Sequence, residues 1–475
     1  MKTFLTILVC ASFLCTSKLY SQSSIGFSDS TDFKYLINYT LPDWGYSNFS
    51  IASGNIDLSG GFRFIDQEIG SPFFTSSESD LFSSTADIGI SPQYELYREN
   101  EKRTISLITS TGFFFGLNKN TSDETFTGTE RKTEQLGNNQ SFIYDIDFEG
   151  NSYINDNLFV LSDLDANLEY LWRNSESKVN NETTNQGSFT VRLIDFRPTI
   201  GLGFGRIRNV TPTIRAIRLN ERYKTLTSSS FSDDEIEATA NTFTKVQGYQ
   251  KTKDRFLKDF WSDINDNVNG SLDQLNTYDL FYLNDIFSEN LGSRFEGYET
   301  SLSVDYIYFS RLTKDEDKFN NSESRNFTIF RQTHLNLNLD WFKNLDLSHQ
   351  LGLNFENKLI LPLERTDPEE WINQLSVNGQ WLWNFADRFQ VVTDFENTFS
   401  AIKTKRDTDE KFRTITSIAR TNLFYFIENR IALNAGVLLG YGDRYRKFDV
   451  ISVTDKQFIW RLNGGINYYF NRNLY

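Results

Sequence analysis

The sequence predicts an all-β membrane barrel of about 14 antiparallel transmembrane strands, with a periplasmic helical insert between strands 6 and 7. Three observations lead there. Apolar and polar residues alternate over long runs, the connections alternate long and short, and tryptophans recur at the run ends in the apolar phase. Composition does not decide the class: 43 Phe, 22 Tyr and 8 Trp at net charge −15, with 39% apolar residues, suit a soluble β-protein or a membrane barrel. The distribution along the chain decides.

At the N-terminus Met1 and Lys2 supply a positive start, and residues 3–15 form an apolar stretch. This is the length of a secretory leader and too short to cross a bilayer as a helix. Cleavage is expected after Ser21, leaving 22–47 as an N-terminal periplasmic segment. A lipoprotein would carry small residues before Cys15, where Phe13 and Leu14 stand. Both cysteines, Cys10 and Cys15, leave with the leader, so the mature chain is expected to hold no disulfide and no thiolate metal site. Two histidines, His334 and His349, are too few for an imidazole-rich metal site. No metal, cofactor or nucleic acid is expected. The segment before the first strand is too small for the plug domain of a TonB-dependent transporter.

Strands 1–6 are expected at 48–65, 84–98, 103–118, 139–155, 157–173 and 187–204, within a wall half spanning 48–205. Strands 7–14 are expected at 296–309, 325–342, 345–360, 371–384, 388–402, 412–427, 430–445 and 457–470, within a second half at 294–470. In the last, Phe458, Trp460, Leu462, Ile466, Tyr468 and Phe470 share one face, with Arg461, Asn463 and Asn467 on the other. Soluble strands average about 5–6 residues, whereas membrane strands need about 9–11 that alternate with one face to lipid. Short connections at 99–102, 156, 343–344, 385–387 and 428–429 interleave with long ones at 66–83, 119–138, 174–186, 310–324, 361–370, 403–411 and 446–456. That is the rhythm of short periplasmic turns and long outer loops. Trp172, Trp371 and Trp460 fall at outer strand ends and Trp341 and Trp383 at periplasmic ends, all in the lipid phase, where indole rings favour the membrane–water boundary.

Between the halves, residues 206–293 change to helical spacing. Thr211-Pro212 reads as an N-cap followed by proline at the first helical position, Ser232 with Glu235 as a capping box, and Ser271 with Gln274 as another. Phe256, Leu257, Phe260, Trp261 and Ile264 form an apolar stripe, and three or four helices are expected. Arg206, Arg208, Arg215, Arg218 and Arg222 make a basic cluster on the first of them, suited to acidic wall residues or to phosphate groups. The glycines at 201, 203 and 205 lack the βαβ setting of a dinucleotide fingerprint and read as points where a strand bends out of the wall. The insert is a floor for the barrel, a plug, or a docking site for a periplasmic partner.

The inward phase is acidic. Asp145, Asp147 and Glu149 share one strand, and Asp163, Asp165 and Glu169 share its antiparallel neighbour. Asp305, Asp340, Glu356, Asp394 and Glu396 lie inward elsewhere, against Arg63, Arg192, Lys358 and Arg461. Such rows repel unless water, cations or arginines screen them, and rings of Asp and Glu select cations in channels. Asp145 and Asp147 on a strand lack the loop geometry of a calcium site. No catalytic residue is assigned: His349 is in the lipid phase at the periplasmic end, and His334 is mid-strand.

Asn463, Gly464, Gly465, Ile466, Asn467, Tyr468, Tyr469 and Phe470 resemble the C-terminal signal read by barrel-assembly machinery, with 471–475 as a short tail. The resemblance rests most on Asn463, Gly465, Tyr468 and Phe470 and implies assembly in the outer membrane of a Gram-negative cell. Residues 201–212 are similar to a run found in uncharacterised outer-membrane proteins. Together these resemble a Bacteroidota-like outer-membrane barrel of porin type. The resemblance implies an assembly partner and no activity; a 14-stranded wall with acidic inward rows makes passage of small solutes the expected function, with a closed scaffold holding a periplasmic partner as the alternative.

Overall fold

The computed structural model describes residues 35–36, 39–67, 77–126, 129–287, 289, 291–364, 369–385, 389–405, 411–428, 431–448 and 451–468. The expected leader at 1–21, the tail at 471–475 and Phe470 lie outside the described residues.

The described chain is a 14-stranded antiparallel sheet in which every strand pairs with its neighbours in sequence. The strands are β1 (Trp44–Gln67), β2 (Ser77–Asn100), β3 (Arg103–Phe126), β4 (Thr129–Tyr153), β5 (Leu158–Val179), β6 (Glu182–Asn209), β7 (Phe295–Asp317), β8 (Ser322–Asn344), β9 (His349–Pro362), β10 (Glu369–Phe385), β11 (Phe389–Thr404), β12 (Lys411–Glu428), β13 (Ile431–Phe448) and β14 (Ile451–Tyr468). No β14–β1 ladder occurs among the described residues. A sheet in lipid has to pair these two edges to satisfy their backbone groups.

The faces of the sheet differ as lipid and water demand. In β7, Leu302 and Val304 are 52% and 43% exposed, while Ser301 and Ser303 between them are 7% and 5% exposed. In β8, Leu335, Leu337 and Leu339 lie outward, with His334 and Asn336 buried on the inner side. Apolar side chains therefore cover the outside and polar ones the inside, the reverse of a soluble sheet.

Several strands run further than the sequence predicts. β1 to β8 each have 22 residues or more, β6 as many as 28, whereas β9 to β14 have 14–18. The segments expected as loops at 119–138, 174–186 and 310–324 are mostly strand. Their Ser, Thr, Asn and Glu residues carry no apolar phase, so their pairing is silent in hydropathy. β5 turns into β6 through Asn180 and Asn181, both at positive φ (49° and 68°), the backbone of a two-residue hairpin turn.

Between β6 and β7 lie α1 (Thr211–Thr227), α2 (Asp233–Thr244), α3 (Val246–Thr252), α4 (Phe256–Asn267) and α5 (Thr277–Asn284), with 3₁₀ turns at Ser271–Gln274 and Asp285–Phe287. The five helices exceed the expected three or four because α3 and α5 are two-turn pieces. Val210, not Thr211, is the N-cap of α1, with proline in its first turn. The capping box at Ser232 and Glu235 is present on α2. The second expected box is not: Ser271–Gln274 is the 3₁₀ turn itself, and the box sits later, where Asn276 and Asp279 cap α5.

These helices share one core. Ile214, Ile217, Leu219, Phe243, Phe260, Ile264, Leu283 and Ile286 are buried together. Leu36 and Tyr39 from the segment before β1, and Leu347 from the β8–β9 turn, complete the same cluster.

The acidic lumen and its helical floor

Strand register sets the lumenal carboxylates in order. Asp147 stands opposite Asp165, and Glu149 opposite Asp163, across the β4–β5 ladder. Asp145 faces Asn167 and accepts hydrogen bonds from that amide and, at 3.2 Å, from Ser110 Oγ. Glu169 lies two pairs toward the long-loop end. In β6, Arg197 forks onto Asp195 at 2.9 and 2.6 Å and reaches Asp165 at 3.8 Å. Neither Asp195 nor Arg197 was singled out from sequence, although both lie in the inward phase and their pairing is visible as Asp-x-Arg.

Further round, Asp305 accepts from Asn336 Nδ2 at 2.6 Å, and Asp340 accepts from Asn354 Nδ2 at 2.6 Å. Asn378 Nδ2 donates in turn to Asn354 Oδ1 at 2.8 Å, so a run of amides leads to Asp340 across β10, β9 and β8. Lys358 Nζ lies 3.5 Å from Glu356. Asp394 accepts from Gln380 Nε2 at 3.2 Å and stands opposite Arg420 in the β11–β12 register. Glu396 stands opposite Asn378. Arg461 lies in the inward phase of β14, between the exposed Trp460 and Leu462. Asn463 and Gly465 are its neighbours in that phase, while Tyr468 points outward at the strand end. The Arg63 side chain lies outside the described residues.

Arg192 is a correction. It shares the phase of Phe196, Ile200, Leu202 and Phe204, all exposed, and the β5–β6 and β6–β7 registers run unbroken from it to them. It therefore points outward beside Tyr170 and Leu312, where a long side chain can carry its charge up to the membrane–water boundary.

The basic cluster also divides. Arg206 and Arg208 are on β6, not on α1 as expected, because β6 stays paired with β7 as far as Asn209. The positive φ of Gly205 (98°), opposite Glu299, and of Gly297 (119°), opposite Ile207, kinks the pair near this end. Arg206 then lies over the Tyr153 ring at 3.7 Å and pairs with Glu101 of the β2–β3 turn, which Arg208 also reaches at 3.1 Å. Arg215, Arg218 and Arg222 are on α1, and Arg222 pairs with Glu289. The bend expected at residues 201–205 is only partly a bend: Gly203 is there because a side chain would collide with the Phe159 ring.

The helices close over the short-turn end of the sheet. Arg294, fully buried, donates from Nη2 to Ser348 O at 2.9 Å, and burial holds its guanidinium down at about 10. Asn384 Nδ2 donates to Leu291 O at 2.9 Å, and Gln350 Oε1 accepts from Phe295 N at 2.7 Å. On the opposite flank Lys251 of α3 pairs with Glu95 of β2 at 2.9 Å, and Gln247 donates to the Tyr46 hydroxyl at 3.2 Å. The floor thus ties β1 and β2 on one side to the β8–β9 turn and β10 on the other. A separate cavity of about 870 Å³ lies toward the long-loop end, lined by Ser59, Thr85, Asn118, Ser175 and Gly187 among others.

The histidines act as local hydrogen-bonding groups. His334 Nε2 lies 3.1 Å from Gln332 Oε1, and His349 Nδ1 lies 3.0 Å from Asp346 in the β8–β9 turn. His349 stacks on Trp383 at 5.5 Å, and Trp381 joins the stack at 5.8 Å from Trp383. No cluster of three or more metal-ligating side chains occurs among the described residues.

No protein-family model and no curated protein matches this chain. Among solved structures it is similar to the translocator domain of the autotransporter NalP from Neisseria meningitidis, at 8% identity and TM-score 0.24, over 83% of this chain and 92% of that one. It is also similar to the CymD monoaromatic hydrocarbon channel, at 8% identity and TM-score 0.23, over 96% and 95%. A third is the toluene transporter TodX of P. putida, at 8% identity and TM-score 0.23, over 92% and 94%.

Proposed function

We propose that this chain is an outer-membrane channel of porin type that passes small solutes and prefers cations, with the helical floor as its gate. The observation that carries the reading is the pair of facing rows Asp145, Asp147, Glu149 and Asp163, Asp165, Glu169 on a wall whose outside is apolar. Arg197 reaches one member of these rows, Asp165, and is itself forked onto Asp195. Carboxylates held this close draw mobile cations from water and raise their local concentration.

The test is the reversal potential across a planar bilayer under a salt gradient. A cation-selective potential is expected, and the double variant D147N/D165N is expected to move it toward zero without closing the pore. Anion selectivity, or no change in the variant, contradicts the reading.

A second reading is favoured by α5. Tyr278 is 85% and Phe281 57% exposed on this helix of the floor, with Leu280 and Tyr282 beside them. Apolar faces of this kind mark protein contacts. In that reading the floor stays shut and holds a periplasmic protein.

A further inference from the structure

A second site lies where the floor meets β1 and β2. A half-enclosed cavity of about 300 Å³ is walled by Trp44, Tyr97, Phe243 and Gln247, with Glu99 and Arg215 bringing charge to it. The Trp44 and Tyr97 rings are 4.9 Å apart, tilted 47° to one another, and make one side of the cavity aromatic. Glu99 is already engaged, accepting from Trp44 Nε1 at 3.0 Å.

Arg215 is not engaged. Of the five arginines in the basic cluster, Arg206 and Arg208 pair with Glu101, and Arg218 and Arg222 lie against Glu289. Arg215 makes no ion pair or hydrogen bond among the described residues, and its Nε is buried without a partner. Burial pushes its guanidinium below the usual arginine value, and Glu289 acts on it only through space. A partly buried guanidinium without a counter-ion is costly, and a planar carboxylate meets its forked donors with paired acceptors.

We infer that this cavity binds a small organic carboxylate with a single flat ring. The carboxylate would face Arg215, turned away from Glu99, and the ring would lie on the Trp44–Tyr97 wall. The volume is at the small end of ligand pockets, which fits one ring and excludes larger bodies. The site does not depend on whether the lumen conducts, because it can be tested on protein in detergent.

The test is titration of the full chain in detergent with benzoate, read by calorimetry and by quenching of tryptophan fluorescence. Saturable binding is expected, with affinity at least about ten-fold weaker in R215Q, the loss of one charge-assisted pair. R215K keeps the charge but not the forked donors, so it is expected to bind more weakly than the native chain and serves if R215Q fails to fold. No saturable binding of benzoate to the native chain, or equal affinity in a folded Arg215 variant, overturns the inference. Inorganic phosphate binding as tightly as benzoate overturns the assignment of a ring.

Discussion

At the scale of single residues, a glycine or arginine matters here through the few side chains it touches. Gly203 lies on a buried stretch of β6, and a Cβ there would collide with the Phe159 ring, itself fully buried. G203A is therefore expected to cost about 1–3 kcal/mol, measured by urea unfolding of the refolded protein, as overpacking of a tight site does. Adding F159L should recover part of that loss; an additive pair would contradict the contact. The acidic rows were readable residue by residue, because inward phase follows from counting by twos along β4 and β5. Arg192 was misread because its strand is 28 residues long and the lipid phase is clear only at its other end, from Phe196 to Phe204. Arg197 was overlooked although Asp195 two residues earlier marks its face.

At the scale of elements, caps and turns show where local chemistry was legible. The Ser232–Glu235 box was plain in sequence because both partners are side chains at fixed spacing. The Asn276–Asp279 box was hidden behind a neighbouring Ser and Gln of the same spacing, which form a 3₁₀ turn instead. The long polar hairpins above the membrane were hidden too, since neither of their faces is apolar; the Asn180-Asn181 and Asn320-Asn321 turns mark two of them. The backbone N–H of Ser232, then Asn269 and the Ser232 hydroxyl, hold the Glu235 carboxyl below its ordinary value. The box therefore stabilises α2 fully above the ordinary carboxylate value and fades as pH falls through the lower folded value. S232A is expected to cost about 1 kcal/mol near neutral pH, read from the helical circular-dichroism signal on heating. The gap between the native chain and E235Q should close as pH falls below the ordinary carboxylate range and through the lower folded value. A gap that is constant with pH would show that the carboxylate does not act through its charge.

At the scale of the molecule, two parts of different character are joined. The sheet is apolar outside and polar inside, and that inversion was the strongest message in the sequence. The floor is a small helical unit with a core of its own, into which Leu36, Tyr39 and Leu347 are drawn from outside the insert. Those three were not foreseen, since nothing local marks a residue of a turn or a leading segment as belonging to a distant helix pack. Because the floor bonds to β1 and β2 on one flank and to the β8–β9 turn and β10 on the other, it links both halves of the wall at the short-turn end. Its position across the acidic lumen is what makes it a gate in the proposed function.

The most direct measurement is single-channel conductance of the purified chain in a planar bilayer, intact and with residues 211–291 replaced by a short turn. The account predicts stable cation-selective steps that grow larger, or open more often, once the helices are gone. Silence in both proteins, each shown to be folded, would contradict it and leave the exposed face of α5 as the place to look for a partner.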